Sequence, residues 1–387
     1  MSFRRDLGLF DATMIVAGSM IGSGVFIVSA GIAQSVGSPA LLLLVWVITG
    51  ALTLIAALSY GELAGLLPQA GGQYVYLREA FGRMSGFLYG WTLFTVIQTG
   101  TIAAVAMAFA KYTAVLIPAV GEANVLIDLG FSVGSKPATI NAAQVVAILS
   151  ILVLTELNTR GVRLGKLIQN TFTTTKIVSV VALALTGIIV GWASGAFTTN
   201  FGSMWTSQIP VADAGSAGPP FLALIAVAMV GSIFSSDAWN NITFAAAEVK
   251  EPERVIPRAL LWGVVLVTAL YLLTNVAYLS VMTLGGSPDG VTAAERGIAY
   301  ALNERVGAAA VDVMFGPVGA IIMAVLIMIS TFGCNNGIIL SGARAYYAMA
   351  KDRLFFAKAA ELNEGGVPAR SLRLQALWAS LLCLSGR

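Results

Sequence analysis

The sequence predicts an all-α, multi-pass membrane protein, and three observations support that prediction. Hydrophobic residues make up 57% of the 387-residue chain, charged residues only 11%, and the mean hydropathy is +0.85. Soluble globular proteins carry about 25% charged residues, so a chain this apolar needs lipid as its solvent. The apolar residues also form separate runs of membrane-spanning length, and the basic residues between the runs favour one side.

Nine apolar runs are interpreted as spanning segments, since most have the roughly 20 residues that a helix needs to cross the hydrocarbon core. They cover residues 10–34, 40–66, 84–117, 139–157, 166–191, 220–247, 257–283, 312–347 and 371–386. The third and eighth are longer, which indicates tilt or extension beyond the bilayer. The ninth is short and stops abruptly, so we expect a truncated version of a longer protein. The alternative is a complete nine-helix protein with its C-terminus outside.

The basic residues orient these segments. With the N-terminus inside, sixteen of the 22 Lys and Arg residues lie in inner loops and four in outer loops. Cytoplasmic loops carry an excess of Lys and Arg, so the sequence predicts a cell-membrane protein with a cytoplasmic N-terminus. The inner residues are Arg4, Arg5, Arg78, Arg83, Arg160, Arg163, Lys166, Lys250, Arg254, Arg258, Arg344, Lys351, Arg353, Lys358, Arg370 and Arg373; the outer ones are Lys111, Lys136, Arg296 and Arg305.

Composition argues against most enzyme classes. The chain has no histidine, which removes the commonest metal ligand and proton shuttle. An intramembrane hydrolase would have to use a Ser–Lys arrangement or the aspartates Asp11 and Asp237. No nucleotide-binding G-x-x-x-x-G-K-[ST] motif occurs, and neither a soluble signalling domain nor rings of pore-lining polar residues are visible. We therefore expect a protein that is not an enzyme and that needs no cofactor, metal or nucleic acid.

The first segment contains "GSMIGSGVFIV", residues 18–28, which weakens a helix at its midpoint because each glycine costs about 1 kcal/mol relative to alanine. In lipid, a helix break is tolerated only where it faces protein or a cavity. Such a break exposes one positive and one negative helix end, an arrangement that suits a zwitterion. The alternative is close helix packing through small residues.

The sixth segment contains a second weak point, in "MVGSIFSSDAWNNITF", residues 229–244. Its polar residues include Ser235, Ser236, Asp237 and Asn240. Close packing explains this stretch poorly, because a charged aspartate within the membrane costs free energy and usually has a functional role. Paired breaks in corresponding segments of two inverted repeats are typical of secondary transporters.

Four stretches in order resemble amino acid transporters of the amino acid–polyamine–organocation superfamily, closest to its L-type exchangers. They are "GSMIGSGVFIVSAGIA" (18–33), "SYGELAGLLPQAGGQYVYLREAFG" (59–82), "AAAEVKEPERVIPRAL" (245–260) and "GARAYYAMAKDRLFF" (342–356). The resemblance covers the whole chain and implies a leucine-transporter-type inverted-repeat fold with discontinuous helices 1 and 6. Family members normally have twelve helices, so we expect this chain to be C-terminally incomplete, and whether it transports alone stays open.

The resemblance also implies a division of the chain. Residues 1–191 would form the first five-helix repeat (TM1–TM5), residues 192–219 an extracellular loop, and residues 220–387 an incomplete second repeat (TM6–TM9). The implied function is sodium-independent exchange of neutral amino acids by alternating access. The alternative is a proton-coupled amino acid symporter; an inactive fragment or an intramembrane serine/lysine hydrolase would be a different class.

The resemblance implies a substrate site between the two breaks. The amides of Gly22, Ser23 and Gly24 would hold the substrate carboxylate, and Phe234 would close over the substrate. Asp237 departs from the small residue usual in L-type relatives. It would narrow the pocket, select a substrate with an extra donor, titrate with a proton, or cap the second half-helix. The carbonyls expected to accept from the substrate ammonium are those of Met20, Ile21, Phe234 and Ser235.

Lys176 lies deep in the fifth segment, where a lysine costs about 2.5–3.5 kcal/mol on insertion scales and needs a polar partner. One interpretation is that Thr173 or Thr175 satisfies it locally. The other, which the resemblance supports, is that its ammonium occupies the place of a sodium ion and ties the first-segment break to the eighth segment near Ser330 and Thr331. The sequence does not name the amino acid, an accessory subunit or the oligomeric state.

Overall fold

The computed structural model describes residues 3–133, 136–209 and 221–385, and within these ranges the chain is almost entirely helical. The helices up to the fifth segment are α1 (Leu9–Met20), α2 (Ser29–Val36), α3 (Pro39–Leu66), α4 (Gln73–Phe81), α5 (Arg83–Thr92), α6 (Gln98–Leu116), α7 (Ala142–Thr159) and α8 (Val162–Gly191). The later helices are α9 (Gly195–Gly202), α10 (Phe221–Ser235), α11 (Asn241–Phe244), α12 (Pro252–Val281), α13 (Ala293–Arg296), α14 (Val306–Phe315), α15 (Gly319–Lys351) and α16 (Ala369–Leu384).

Within the described ranges, six helical stretches are long and apolar enough to cross a membrane, which confirms the prediction of a helical multi-pass chain. They are Pro39–Leu66, Arg83–Leu116, Ala142–Thr159, Val162–Gly191, Pro252–Val281 and Val306–Lys351. The helices α1 and α10 are apolar but shorter, because the first and sixth predicted segments are each interrupted. The ninth predicted segment corresponds to the 16-residue α16.

Local sequence explains several helix boundaries. The Ser38 side chain accepts from the amide of Leu41 at the start of α3, and Pro39 occupies the first helical position. Asn141 and Gln144 form a reciprocal capping box at the start of α7, with N···O distances of 2.8 and 3.0 Å. A fourth segment predicted from residue 139 therefore begins as a helix only at Ala142.

Three other features differ from the prediction. An antiparallel hairpin of β1 (Val125–Val133) and β2 (Lys136–Asn141) precedes α7. The expected loop 192–219 contains α9, while its residues 210–219 lie outside the described ranges. The eighth segment, predicted at 312–347, is divided into α14 and α15 by a short turn that contains Pro317.

The packing places α1 at the centre of the helices. It contacts α8, α12 and α15, while α12 packs along α3 and α15 packs along α6. The second half of the interrupted first segment, α2, packs against α10. The breaks in the first and sixth segments are therefore surrounded by the ends of four short helices and the middles of three long ones.

Candidate functional site

The first-segment break (residues 21–28) begins where α1 ends at Met20. Ile21 leaves the helical conformation with φ −76° and ψ 91°, and the chain passes through a short 3-10 turn, Gly24–Phe26, before α2 starts. Gly22 and Gly24 lie at this break, as the sequence predicted, whereas Gly18 lies within α1. Among the hydrogen bonds of the described residues, the amides of Ser23, Gly24 and Val25 have no acceptor. These three donors form the positive end that the break exposes.

The carbonyls at the same break are occupied. Met20 O accepts from the Gly22 amide at 2.9 Å and from the Tyr271 hydroxyl at 3.0 Å. Ile21 O accepts from Lys176 Nζ at 2.8 Å and from Ser330 Oγ at 3.1 Å. Each of these carbonyls, with two lone pairs, faces two donors, although the Tyr271 and Ser330 hydroxyls each share their one proton with a second carbonyl. The break therefore presents the three amides of residues 23–25 as donors, while the carbonyls at the end of α1 have little acceptor capacity left.

Lys176 lies at the middle of α8 and is 1% exposed. Its ammonium donates to Gly18 O at 2.6 Å, to Ile21 O at 2.8 Å and, more weakly, to Ser330 O at 3.4 Å. The cation therefore joins the end of α1 to α15, as the sequence predicted. The local alternative is wrong, because the acceptors of the Lys176 ammonium are these three backbone carbonyls and neither Thr173 Oγ1 nor Thr175 Oγ1.

Thr331, which was expected near the Lys176 ammonium, makes its hydrogen bond within its own helix instead. Its hydroxyl donates to Ile327 O of its own helix at 2.7 Å. Beside it, Ser330 Oγ reaches across to Gly22 O at 3.0 Å as well as to Ile21 O. Of this predicted pair, only Ser330 contacts the first-segment break.

The sixth-segment break (residues 236–240) separates α10 from α11. It turns at Ala238, whose φ of +69° is a conformation that L-residues rarely adopt. The short helix α11 follows with Asn240 at its N-cap position, and no side chain caps it. The interpretation of Asp237 as a cap is therefore wrong for this structure.

The two breaks contact each other. A Cβ atom placed on Gly24 would lie 2.2 Å from Ser235 Oγ and 2.7 Å from Ser235 Cβ, so only glycine allows this approach. The Tyr271 hydroxyl of α12 lies 3.0 Å from both Met20 O and Ser235 O. Its single proton is shared between the two carbonyls, and the hydroxyl links the end of α1 to the end of α10.

A cavity of about 300 Å³ opens at the sixth-segment break. It is lined mostly by polar and aromatic side chains from α3, α4, α6, the break and α11. Asn240 Nδ2 and the Tyr89 hydroxyl both donate to Gln73 Oε1, at 3.0 and 2.8 Å. The lining residues are Tyr60, Gln73, Tyr89, Leu93, Ile97, Gln98, Thr101, Asp237, Ala238, Trp239, Asn240, Asn241, Phe244 and Ile338.

Comparison with known proteins identifies the family. The family model described as amino acid permease matches residues 7–386, which is nearly the whole chain. The chain belongs to the amino acid permease family. The rabbit (Oryctolagus cuniculus) and human large neutral amino acids transporter small subunit 2 are each 30% identical to it over 355 residues. The human b(0,+)-type amino acid transporter 1 is 29% identical over 356 residues.

These alignments cover 91% of this permease but only 58% of each small subunit 2 and 64% of the b(0,+)-type protein. The chain therefore spans about three fifths of the length of the curated relatives it matches. The family membership holds for the chain as given, and the ordering of the four resembling stretches agrees with it.

The predicted site residues of the permease fall into two groups in the structure. Gly24 and Ser235 are in direct contact, and Met20 is joined to Ser235 through Tyr271. In contrast, Phe234 is 76% exposed and lines a groove of about 550 Å³ beside α3. A ring packed over a closed site would not be this exposed, so the expected cover is not in place in this conformation.

Asp237 and Trp239 are shared by the two spaces at the sixth-segment break, and Asp237 carries the charge. It is exposed and lines both the 300 Å³ cavity and the 550 Å³ groove. Its carboxylate accepts no hydrogen bond from the described residues, although Trp239 and Asn240 beside it are partly buried. An acceptor with free lone pairs therefore faces the cavity.

Sequence reasoning missed a polar stripe on α12. Tyr271, Asn275 and Tyr278 follow one another at helical spacing and all face the first-segment break. Asn275 Oδ1 accepts from Ser29 Oγ at 2.6 Å, and the Tyr278 hydroxyl lies 3.4 Å from Val25 O. In "YLLTNVAY", residues 271–278, these three polar side chains are four and three positions apart, and that spacing could have predicted the stripe.

A buried ion pair near the sixth-segment break was also missed. Arg344 of α15 and Glu248 are both buried, with Nη2 2.9 and 3.0 Å from the two carboxylate oxygens. Directly beside it, Leu7 pairs with Val249 as an isolated parallel bridge. These contacts fasten the chain before α1 and the chain after α11 to each other and to α15.

Proposed function

We propose that this permease carries amino acids across the cell membrane by sodium-independent exchange and alternating access. The printed names of its relatives describe a large neutral amino acids transporter subunit and a b(0,+)-type amino acid transporter. The single observation that carries the proposal is the contact of two helix breaks that have opposite hydrogen-bonding character. A free amino acid carries a carboxylate, which matches the donors of one break, and an ammonium, which matches the acceptors of the other.

The substrate carboxylate binds at the first-segment break. The amides of Ser23, Gly24 and Val25 are unpaired among the described residues and lie at the start of a helical turn. Oriented amides of this kind favour a negative charge. The neighbouring carbonyls of Met20 and Ile21 are occupied, which removes groups that would repel the carboxylate or compete for its donors.

The substrate ammonium binds at the sixth-segment break. The last carbonyls of a helix lack α-helical partners, and those of Phe234 and Ser235 end α10. Phe234 O accepts one bond, from the Asp237 amide at 3.3 Å, and Ser235 O accepts a share of the Tyr271 proton, so each keeps a lone pair. Ile21 O, in contrast, faces both the Lys176 ammonium and Ser330 Oγ. We therefore assign the ammonium to the α10 carbonyls and drop Ile21 from the predicted set.

Asp237 recognises a donor on the substrate side chain. Its carboxylate is exposed to a cavity whose other lining groups, such as Gln73 and Asn240, already bond to each other. A side-chain hydroxyl, amide or ammonium would pair with it, and a fully apolar side chain would leave it unpaired. Sites that hydrogen-bond a substrate group reject analogues that lack the group.

Lys176 replaces a coupling cation. Its ammonium is held by two carbonyls of the first segment and one of α15, the kind of oxygen cluster that suits a monovalent cation. Because the lysine is covalently fixed, the first segment keeps its shape without sodium. The two repeats, 1–191 and 220–387, would then move against each other around this tie, with the N-terminus in the cytoplasm.

Exchange in proteoliposomes tests the proposal. Vesicles loaded with unlabelled amino acid are given labelled amino acid outside, with sodium or proton gradients imposed in separate arms. The proposal expects uptake that requires internal amino acid and ignores both gradients. Uptake that needs a sodium gradient contradicts the role of Lys176, and uptake driven by a proton gradient into empty vesicles favours the symporter alternative.

A further inference from the structure

A separate cavity of about 670 Å³ lies at the end of the molecule where α1 begins, away from both breaks. Its walls are the segment before α1, the turn after α3, the helix α4 and the last turn of α15. The charged side chains that line it are Arg5, Arg78, Lys351 and Asp352. We call this space the basic cavity.

Two cations in the basic cavity are not neutralised. Arg78 forms an ion pair with Asp352, which also accepts from the Tyr74 hydroxyl at 2.7 Å. In the described part of the chain, neither Arg5 nor Lys351 has a carboxylate within 4.0 Å. The basic cavity therefore has two positive charges available for an anion.

Aromatic rings hold one of these cations in place. The Lys351 ammonium lies 5.6 Å from the centroid of the Tyr347 ring, and the Phe3 ring meets the same ring edge-on at 4.9 Å. Cation–π contacts of this kind orient a lysine without removing its charge. The ammonium can thus still pair with an anion that enters the cavity.

The surroundings point to an amphiphilic anion. Leu66 ends α3 one residue before the turn that forms the wall, and it is 76% exposed. Phe81 and Met84, on either side of the α4–α5 junction, are 71% and 70% exposed. In a chain of membrane-spanning helices, large apolar side chains this exposed contact acyl chains, so the basic cavity lies beside the lipid.

We propose that the basic cavity binds the phosphate headgroup of an anionic phospholipid, held by Arg5 and Lys351. Basic pockets at the cytoplasmic ends of membrane helices attract anionic headgroups. The headgroup would join the segment before α1, through Arg5, to α15, through Lys351. Since Leu7 already fastens that segment to Val249, bound lipid would further stabilise the packing of the segment beside α15.

Lipid binding to the full chain in zwitterionic nanodiscs tests the proposal, with phosphatidylglycerol and phosphatidylcholine as the two probes. The wild-type chain should prefer phosphatidylglycerol. The double variant Arg5→Gln/Lys351→Gln should lose about fivefold in this preference for each cation removed. The matched control is Lys358→Gln, an exposed lysine of the same region that does not line the cavity, and it should keep the wild-type preference.

Two further arms keep the result interpretable. The charge-conserving variant Arg5→Lys/Lys351→Arg should retain the preference, which separates loss of charge from loss of folding. Water-soluble glycerol phosphate should compete poorly, because the proposal requires the acyl chains. An unchanged preference in the double variant overturns the proposal, and so does glycerol phosphate binding as tightly as the lipid.

Discussion

The two helix breaks of this permease differ in how much of their hydrogen bonding is already used. At the first-segment break, side chains from α8, α12 and α15 occupy the carbonyls of Met20 and Ile21, and only amides remain free. At the sixth-segment break, Asp237 is exposed to open space and Phe234 is uncovered. The first break therefore offers preformed backbone donors, and the second offers an exposed carboxylate and an uncovered ring.

Under the proposed function, this difference would hold a substrate in one orientation. A preformed site loses little entropy when it binds, so we propose that the carboxylate, common to all amino acids, binds at the rigid break and that the variable side chain lies at the open one.

The largest effect should come from filling the contact between the breaks. Gly24→Leu would place side-chain atoms where Ser235 already lies, and overpacking costs about 1–3 kcal/mol, up to about a hundredfold in affinity. We expect exchange to be abolished while membrane insertion continues. The matched control is Gly31→Leu in α2, because a Cβ there meets nothing within 4 Å. Equal exchange by the two variants contradicts the placement of the site.

The next effect should come from removing the fixed cation. Lys176→Ala removes the charged donor of the Gly18 and Ile21 carbonyls and leaves Ile21 O with Ser330 Oγ alone, and hydrogen bonds to a charged group are worth about 1.5–3 kcal/mol. Exchange measured in proteoliposomes should fall more than about tenfold. Lys111→Ala, which removes an exposed lysine paired with Glu122, is the control. If the two variants exchange equally well, the first break does not depend on Lys176.

A smaller effect should follow from removing the hydroxyl that bridges the breaks. Tyr271→Phe deletes the contacts with Met20 O and Ser235 O, and one neutral hydrogen bond is worth about 0.5–1.5 kcal/mol. Substrate affinity in a binding assay should fall about threefold to tenfold. Tyr278→Phe on the same face removes only a 3.4 Å contact and should have less effect. A larger loss from Tyr278→Phe would show that Tyr271 does not couple the breaks.

The smallest effect on overall exchange, and the largest on selectivity, should come from Asp237→Asn. The variant keeps the shape of the cavity and removes its charge. Competition by amino acids with cationic side chains should weaken by about tenfold, whereas competition by apolar ones should change little. Asp289→Asn, outside both cavities, is the control. If competition by all amino acids weakened equally, Asp237 would have a structural role and would not recognise the substrate side chain.

Much of the first break could be predicted from the sequence, because its causes are local. Gly22 and Gly24 weaken the helix at a fixed point, and a lysine in an apolar helix demands polar partners. Lys176 and Ser330 meet where that reasoning placed them. The occupancy of the carbonyls could not be predicted, since it depends on the rotation of α12 and α15 about their axes. Tyr271 was missed for that reason.

The second break was harder to predict because its causes are not local. Asp237 stands out in the sequence, but whether it caps, pairs or faces a cavity depends on the turn at Ala238. The buried pair of Glu248 and Arg344 joins residues 96 positions apart, and nothing in either neighbourhood specifies the partner. Charges at helix ends are usually solvated, so their burial here is a tertiary effect.

We propose that the first break binds the carboxylate of an amino acid and that the second binds its ammonium. A crystal structure of the chain with a bound amino acid tests it most directly. We predict carboxylate oxygens at hydrogen-bond distance, about 2.7–3.2 Å, from the amides of Ser23, Gly24 and Val25, and the ammonium at the carbonyls of Phe234 and Ser235. An amino acid bound in the reverse orientation, or wholly within the cavity at Asp237 with those amides unpaired, would contradict the account.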